Sequence, residues 1–356
     1  MKIGIIGVGR LGLCFALNLS NAGFSVVGHD IQQEYVDALS SKKFISTEPL
    51  VAEMLLTSSA QFTSDMDEVR RSDILFVFVN TPSNSDGSFS HNQVDSVLVG
   101  LRGYAGTITI CSTVMPGYCD SLNDPRIVYS PQFIAQGSII KDQLHPDLVL
   151  IGAEDFARAA EVESVYARVC KNYPAFKTMD RLSAEITKLA LNCYITTKIS
   201  FANNLGDICK TVGANCEAVL SAMSSDSRIG SKYFNYGYGY GGPCFPRDNK
   251  AFIHFARDYV RPHLSEATEL VNEDHLLQQL KLIEKGILPS NVQIVGKSAI
   301  VTGVCFKLQS NILDESQQLR LAIALTKTHD VTIRDSETVI DAVQAKYLNL
   351  FSYEII

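Results

Sequence analysis

Several common markers of function are missing from this chain of 356 residues. Its nine cysteines are scattered, and no two of them form a C-x-x-C pair, so the sequence indicates neither a zinc site nor a disulfide framework. The uninterrupted apolar runs are far too short to span a bilayer. Low-complexity segments and repeats are also lacking. These absences favour a globular protein with no resident metal and no membrane partner.

Basic residues are fewer than acidic ones, 31 Lys and Arg against 38 Asp and Glu. The formal net charge is −7, which argues against nucleic acid or an anionic membrane as a partner. Anionic ligands would have to be held by backbone N–H groups, helix ends and a few chosen cations. A hydrophobic content of 46% and a charged content of 19% are typical of an ordinary globular protein. The chain opens directly on a strand-like run without a charged leader and cleavage site, so we expect a reducing cytoplasm.

The first twelve residues carry a dinucleotide-binding pattern. An apolar run leads into G-x-G-x-x-G, and a helical stretch follows, which is the context that this fingerprint requires. The pattern consists of Gly7, Val8, Gly9, Arg10, Leu11 and Gly12. Gly7 would make the tight turn, Gly9 would admit a pyrophosphate, and Gly12 would let the helix pack on the strand. The pyrophosphate would then sit at the helix N-terminus.

The second predicted strand ends in an acidic residue. Asp30 stands 18 positions beyond Gly12, where a carboxylate suits the ribose hydroxyls of NAD and would repel the extra phosphate of NADP. No lysine or arginine follows until Lys42. We therefore predict NAD as the cofactor.

Apolar runs alternate with helical stretches up to about residue 180, as in a doubly wound parallel sheet. The predicted strands are Ile3–Ile6, Val26–Gly28, Ile74–Val79, Thr107–Cys111, Ile127–Tyr129 and Leu148–Ile151. Three of them end in polar segments, Asn80-Thr81-Pro82-Ser83, Ser112-Thr113-Val114 and Ser130-Pro131-Gln132. Ligands of open α/β sheets bind at the carboxyl ends of the strands, so these segments are candidates for one crevice. Ordinary turn chemistry is the alternative.

The pattern changes after residue 181. A long helical stretch runs from Leu182 to about Val212 and places Lys188 and Asn192 on one face, although a solvated lysine is the common alternative. Further helical stretches cover 251–258 and 266–285. A small α/β unit follows, with strands at 298–304 and 331–334, helices at 316–326 and 338–347, and a short tail. We predict an N-terminal Rossmann-type doubly wound parallel sheet (1–180), a central long-helix all-α region (181–288), and a small, shortened C-terminal α/β domain (289–356).

The run from Gly237 to Asp248 contains a candidate nucleophile. Its glycines remove side chains where a bulky ligand would need the backbone close, and Cys244 stands four residues before Asp248. A thiolate is a strong covalent nucleophile, and a nearby carboxylate can carry protons. The alternative is a structural loop with a buried, inert cysteine.

In order and in residues the chain resembles the UDP-glucose/GDP-mannose dehydrogenase family, from Met1 to about Asp335. The most specific segments are Val79-Asn-Thr-Pro-Ser, Ser112-Thr-Val, Ser130-Pro-Gln-Phe-Ile-Ala-Gln-Gly137, Glu185-Ile-Thr-Lys188-Leu-Ala-Leu-Asn192, the Cys244 run and Gly303-Val-Cys-Phe-Lys307. The resemblance implies oxidation of the C6 alcohol of a nucleotide sugar to a carboxylate, with two NAD⁺ and one water. The Cys244 run is closest to the UDP-glucose branch.

The resemblance also assigns residue roles. Cys244 would attack the aldehyde, Lys188 and Asn192 would stabilise oxyanionic states, Asp248 and Thr113 would handle water and protons, and Gln132 stands where the family has a base. Beside the fingerprint and Asp30, the cofactor would meet Asn80, Thr81, Pro82, Ser112, Gln136 and Arg247. The substrate would meet Phe133, Arg228 (of a neighbouring subunit), Tyr233, Asn235, Tyr236, Gly237, Gly241, Phe245 and Lys307. The resemblance further implies a homodimer, and polysaccharide biosynthesis as the use of the product.

Several positions depart from the family pattern. Gln132 and Gln136 replace glutamates, Arg247 replaces a lysine, and the segment Ser310-Asn-Ile-Leu-Asp314 lacks an arginine associated with NAD. Because a glutamine cannot take a proton, thioester hydrolysis is the step in question. Three alternatives stay open: another nucleotide sugar such as GDP-mannose or a UDP-aminosugar, a β-hydroxyacid dehydrogenase, against which Cys244 counts, and a degenerate paralogue that only binds nucleotide sugar.

Overall fold

The computed structural model describes residues 1–307 and 311–356, so Ser310 lies outside the described residues. The chain divides into two compact units, Met1–Lys188 and Leu189–Ile356. The division into three regions at 180 and 288 stays a prediction.

The first unit is built on an eight-stranded sheet. Its strands are β1 (Lys2–Ile6), β2 (Ser25–His29), β3 (Gln61–Thr63), β4 (Ile74–Val77), β5 (Thr107–Ile110), β6 (Ile127–Tyr129), β7 (Leu148–Ala153) and β8 (Ala175–Met179). They lie in the order β3-β2-β1-β4-β5-β6-β7-β8, and the chain crosses over between β3 and β4. The helices are α1 (Arg10–Asn21), α2 (Gln33–Ser40), α3 (Val51–Thr57), α4 (Met66–Val69), α5 (Asn92–Gly100), α6 (Tyr118–Ser121), α7 (Ile139–Leu144) and α8 (Phe156–Val169).

The predicted doubly wound sheet is confirmed, with one correction. β6 and β7 pair antiparallel, with Val128 opposite Ala153, whereas a wholly parallel sheet was predicted. A parallel neighbour needs a crossover that carries the chain back along the sheet. Residues 130–147 hold only the six-residue α7, and β7 starts at the edge where β6 ends. The edge strands β3 and β8 were not predicted, because neither shows an alternating apolar pattern.

Both faces of this sheet are covered, as a doubly wound fold requires. In β4, Ile74 and Phe76 join one apolar cluster with α1, while Leu75 and Val77 join a second cluster with α5. All four side chains are buried. Burial on both faces explains why the strands read as continuous apolar runs. The carboxyl ends of β1, β2, β4 and β5 therefore share one edge.

The long helix α9 (Arg181–Val212) starts in the first unit and continues into the second. The second unit then holds α10 (Cys216–Ser224), α11 (Phe245–Ala256), α12 (His263–Glu284), β9 (Val292–Val295), β10 (Ser298–Thr302), α13 (Gln317–Leu325), β11 (Asp330–Asp335), α14 (Glu337–Tyr347), a 3-10 turn (Leu348–Leu350) and β12 (Ser352–Ile355). Its four strands form a second sheet in the order β12-β11-β10-β9. Leu276 and Ile283 of α12 pack against this sheet.

Several features of the second unit differ from the prediction, including helix α10, for which no helix was predicted. Helix α11 begins at Phe245, six residues earlier than expected, so Asp248 lies in its first turn rather than in a loop. The predicted tail forms β12, parallel to β11. An unpredicted strand, β9, pairs antiparallel with β10. Within the ranges 1–307 and 311–356, we find no helix that combines the length and apolar character needed to cross a membrane.

Candidate functional site

The fingerprint glycines form a tight turn between β1 and α1. Gly7 has φ +86°, a conformation that favours glycine. A Cβ on Gly12 would lie 2.1 Å from the Gly7 carbonyl oxygen, so only glycine fits there. At Gly9, by contrast, a Cβ would meet open space. The N-terminus of the twelve-residue α1 thus faces a space that accommodates a pyrophosphate.

Two further groups frame this turn. Arg10 at the start of α1 donates from Nη1 to Gln136 Oε1 at 2.5 Å, which brings two predicted cofactor-binding residues together. Asp30 directly follows β2 and is half-buried, and its carboxylate accepts a hydrogen bond from the Gln32 backbone N–H at 3.2 Å. The residues present fit the dinucleotide that the fingerprint predicts.

The polar segments after β4 and β5 are linked by hydrogen bonds. Thr81 Oγ1 donates to the Thr113 carbonyl at 2.7 Å, and Ser112 Oγ donates to the Val79 carbonyl at 2.6 Å. The Asn80 backbone N–H donates to Gln93 Oε1 at 3.1 Å. Pro82 is exposed beside them. The structure therefore brings these predicted residues to one edge of the sheet.

A histidine that the sequence analysis missed supports the Thr113 segment. His91 Nε2 accepts a hydrogen bond from the Met115 backbone N–H at 3.1 Å, and the ring stacks on Tyr118 at 3.9 Å between centroids. Burial lowers the pKa of His91, which favours the neutral ring that can accept this bond.

Lys188 is buried rather than solvated. It is 7% exposed, donates from Nζ to the Gln132 carbonyl at 3.0 Å, and lies 4.6 Å from the centroid of the Phe133 ring. A buried ammonium is expensive unless it is paired. Here the carbonyl and the ring face hold it. Three predicted site residues, Lys188, Gln132 and Phe133, are thereby brought together.

The partly buried Gln132 side chain is linked to two buried amides, those of Gln143 and Asn18. Its Oε1 accepts a hydrogen bond from Gln143 Nε2 at 2.6 Å, and Gln143 Oε1 accepts one from Asn18 Nδ2 at 3.0 Å. The amide is thus fixed in place.

In the second unit, Cys244 caps helix α11 at its N-terminus and is exposed. The other eight cysteines, all within the described residues, are buried or partly buried. Cys244 is therefore not buried, as the alternative required, and its reactivity stays a prediction. Helix N-termini favour the thiolate form of cysteine. By contrast, burial raises the pKa of Cys193 to about 12, so that thiol stays protonated.

The carboxylate one turn beyond Cys244 is buried and paired. The Asp248 backbone N–H donates to the Cys244 carbonyl at 2.8 Å, which places both residues on the first turn of α11. Asp248 is 3% exposed; its Oδ2 accepts a hydrogen bond from Asn192 Nδ2 at 2.7 Å, and Oδ1 lies 3.7 Å from Arg247 Nε. Asn192 of α9 thus reaches Asp248, a pairing that sequence spacing alone did not reveal.

Residues 233–243, here called the glycine-tyrosine segment, are held by two buried asparagines. Asn203 of α9 accepts from the Gly237 N–H at 2.9 Å and donates to the Tyr238 carbonyl at 3.1 Å. Asn272 of α12 makes the same pair of bonds to the Tyr240 backbone. A Cβ on Gly241 would lie 2.3 Å from the Glu315 carbonyl oxygen, so this position admits no larger residue. The segment is thus held from Gly237 to Gly241.

Most of the remaining predicted substrate-binding residues are exposed in the second unit. Arg228 is 87% exposed at its side chain and pairs with Asp226 at 2.6 Å. Tyr233 has φ +61°, and its ring lies 6.3 Å from that of Phe245, centroid to centroid. Asn235 and Lys307 are exposed, and Tyr236 is half-buried. The predicted site residues thus form two sets, one in each unit.

Sequence reasoning overlooked the residues that hold these sets in place. Glu185 of α9 is fully buried and accepts from the backbone N–H groups of Gly117 and Cys119 at 2.6 and 2.8 Å. Asn203 and Asp207 stand four residues apart on α9. The sequence pattern could have identified these residues, because they are polar positions on an otherwise apolar face of the helix.

Comparison with known proteins adds three findings. Residues 1–170 match the model of the NAD-binding domain of the UDP-glucose/GDP-mannose dehydrogenase family, and residues 182–274 match that of its central domain. The chain is 31% identical to the UDP-glucose 6-dehydrogenase of Rhizobium meliloti, covering 91% of this chain and 79% of the relative, and 32% identical to one from Bacillus subtilis, covering 90% and 76%. Its fold matches a UDP-glucose dehydrogenase structure from Pyrobaculum islandicum at a TM-score of 0.87, with 28% identity over 99% of this chain and 85% of that one.

Proposed function

We propose, from the premise that this chain belongs to the UDP-glucose/GDP-mannose dehydrogenase family, that it oxidises the C6 alcohol of UDP-glucose to the carboxylate of UDP-glucuronate. The coarser statement is established: the chain is an NAD-dependent oxidoreductase of nucleotide sugars. The observation that carries the finer proposal is the exposed Cys244 at the N-terminus of α11, one turn before the buried Asp248.

The residues of the chain divide the chemistry between them. The glycine turn and Asp30 would hold NAD⁺, which would supply the hydride acceptor for each of the two oxidations at C6. The Cys244 thiolate adds to the C6 aldehyde to form a thiohemiacetal, whose oxidation leaves a thioester on the sulfur. Lys188 and Asn192 donate to the oxygen as it becomes anionic, in the manner of an oxyanion hole. Thr113 helps to hold the water that releases the carboxylate, and Asp248 accepts its proton.

The cofactor side of the proposal follows from the first unit. The glycine turn and the N-terminus of α1 would hold the pyrophosphate, and Asp30 would accept hydrogen bonds from the ribose hydroxyls. The segments after β4 and β5 would line the nicotinamide end. Arg247, next to the buried Asp248, is proposed as a further cofactor contact.

One assay tests this function directly. Purified protein is incubated with NAD⁺ and, in turn, UDP-glucose, GDP-mannose and a UDP-N-acetylaminosugar, and the NADH formed per sugar consumed is measured. We expect two NADH per UDP-glucose and much slower turnover of the other sugars. If another nucleotide sugar is turned over faster, that sugar and not UDP-glucose is the substrate. A yield of one NADH per sugar would contradict the four-electron oxidation. A cytoplasmic setting and a role in polysaccharide biosynthesis stay part of the proposal.

Cofactor choice gives the first prediction. Wild-type kcat/KM should favour NAD⁺ over NADP⁺ by about 100-fold, because a carboxylate set against a phosphate costs several kcal/mol. Asp30→Ser should reduce this ratio, chiefly by raising kcat/KM for NADP⁺. Asp37→Ser is the control, since Asp37 is an exposed residue of α2 that pairs with Gln33. Equal use of the two cofactors by the wild type would contradict the role of Asp30.

Self-association gives the second prediction. Helix α9 exposes Tyr194, Phe201 and Ile208 at intervals of seven residues, with exposed fractions of 69%, 53% and 52%. A seven-residue repeat keeps side chains on one face of a helix, and such a face suits a second copy of the same chain. We expect a dimer in sedimentation at micromolar concentration, and a monomer with impaired activity for Phe201→Glu combined with Ile208→Glu. Tyr173→Glu, at another exposed aromatic residue, is the control. A fully active wild-type monomer would rule out a site completed by Arg228 of a second subunit.

Gln132 gives the third prediction. Without a carboxylate at this position, hydrolysis of the thioester should limit turnover, so a pre-steady-state burst of NADH and an acyl adduct on the Cys244 peptide should be observed. Gln132→Glu keeps the oxygen that accepts from Gln143 and should raise kcat if the new carboxylate acts as a base. Gln136→Glu is the comparison, because Gln136 contacts Arg10 instead. If no burst is seen and kcat does not rise, Asp248 is the better candidate for the base; complete absence of turnover in the wild type would favour a protein that only binds nucleotide sugar.

A further inference from the structure

The glycine-tyrosine segment is also held by a buried ionisable pair. His275 of α12 is 2% exposed and Asp207 of α9 is 7% exposed. His275 Nδ1 lies 2.7 Å from Asp207 Oδ2, and His275 Nε2 lies 2.8 Å from the Gly237 carbonyl oxygen. The second carboxylate oxygen, Asp207 Oδ1, accepts a hydrogen bond from the Tyr236 hydroxyl at 2.9 Å. The pair thus holds two consecutive residues of the segment.

Both ring nitrogens of His275 face oxygen atoms that accept hydrogen bonds. A neutral imidazole carries one N–H and can satisfy only one of them. The doubly protonated ring satisfies both, and the Asp207 carboxylate supplies the opposite charge that a buried imidazolium requires. Gln279 Nε2 donates to the same Gly237 carbonyl at 3.1 Å, so this oxygen is bonded from two positions on α12.

We propose that His275 is a positioning residue for nucleotide-sugar binding: doubly protonated and paired with Asp207, it fixes Gly237 and Tyr236, so that affinity for UDP-glucose falls as the pH rises. The inference rests on the proposed function, which assigns this segment to the substrate. Loss of the second ring proton leaves either the Gly237 carbonyl or the Asp207 carboxylate without its bond to His275. The segment then loses one of its fixed points.

Two further ionisable side chains face Tyr236, the third member of this cluster. From α9, Lys210 Nζ lies 5.0 Å from the centroid of the Tyr236 ring, and from α10, Cys216 faces the same tyrosine. Burial, followed by the Asp207 charge, raises the pKa of Tyr236, so its hydroxyl keeps donating at high pH. Burial also raises the pKa of Cys216. Histidine is the side chain whose ordinary charge change falls between about pH 5 and 8.

Equilibrium binding tests the proposal without depending on turnover. The dissociation constant of UDP-glucose is measured by calorimetry between about pH 6 and 9. We expect the affinity of the wild type for UDP-glucose to fall about tenfold from the lowest to the highest pH, which corresponds to the loss of one charge-assisted hydrogen bond. His275→Gln combined with Asp207→Asn should bind with little dependence on pH, because amides do not titrate. His263→Gln, at an exposed histidine of the same helix, should keep the wild-type profile.

A second measurement on the wild type reads the charge directly. The ¹⁵N spectrum of histidine side chains should show N–H groups at both nitrogens of His275 at the lower pH and at one nitrogen at the higher pH, with the signal identified by its loss in His275→Gln. A ring with one N–H throughout, or a binding profile shared by the wild type and the amide variants, would overturn the proposal. If the protein binds UDP-glucose with the expected pH dependence but does not oxidise it, the proposed function is refuted and the positioning role of His275 is still supported.

Discussion

Cys244→Ser should abolish formation of the uronate while nucleotide-sugar and NAD⁺ binding remain intact. A serine hydroxyl is a weak nucleophile without an adjacent base, so no covalent adduct forms and the second oxidation cannot start. We expect a loss in the rate of acid formation of at least about 10³-fold, or about 4 kcal/mol in the activation barrier. The measurements are the uronate yield by mass spectrometry, the NADH yield per sugar, and the dissociation constants of both ligands.

A stability measurement and a control variant separate a chemical effect of Cys244→Ser from a structural one. Because Cys244 is exposed, its replacement should leave the melting temperature unchanged, and the effect can be assigned to chemistry. Cys170→Ser is the matched control: Cys170 is partly buried just beyond α8 in the first unit and should be silent in all three assays. Normal turnover to the uronate in Cys244→Ser would remove the covalent mechanism and with it most of the proposed function.

The first unit could be predicted well from sequence because its local and global signals agree. The strands are buried on both faces and read as apolar runs, and the G-x-G-x-x-G turn admits only glycine at Gly12. The edge strands escaped prediction, since Ala175–Met179 is mostly exposed and carries no apolar periodicity. The antiparallel pairing of β7 escaped as well, because strand direction depends on the path of the connecting segment.

The candidate site was predicted as a set of residue types rather than as a geometry. Spacing placed Lys188 and Asn192 on one helix face, but it did not reveal that Asn192 bonds to Asp248 or that Lys188 is held by the Gln132 carbonyl. These contacts join residues 56 positions apart in the sequence. Local patterns carry no information on such pairs. The His275–Asp207 pair was missed for the same reason.

Lys188→Met should lower kcat by about 10² to 10³, the usual cost of removing one oxyanion donor, or about 3 to 4 kcal/mol. The methionine keeps an unbranched side chain and its contact with the Phe133 ring but removes the charge. The KM for UDP-glucose should change little, because the interaction is made as negative charge develops on the oxygen. Steady-state kinetics of NADH formation separates the two parameters.

A fall in kcat could also come from a destabilised fold, because Lys188 donates a hydrogen bond to the Gln132 carbonyl and its loss will lower the stability. Lys198→Met on the same helix distinguishes the two accounts. Lys198 Nζ likewise donates to backbone carbonyls, of Ile229 and Gly230 at 2.9 and 3.1 Å, and likewise lies over an aromatic ring, that of Phe234. Both variants lose a lysine bound in the same way, so their melting temperatures should fall by similar amounts, whereas only Lys188→Met should lose kcat. Equal losses of kcat in the two variants would mean that Lys188 acts by holding the fold, and the oxyanion role would have to pass to Asn192 alone.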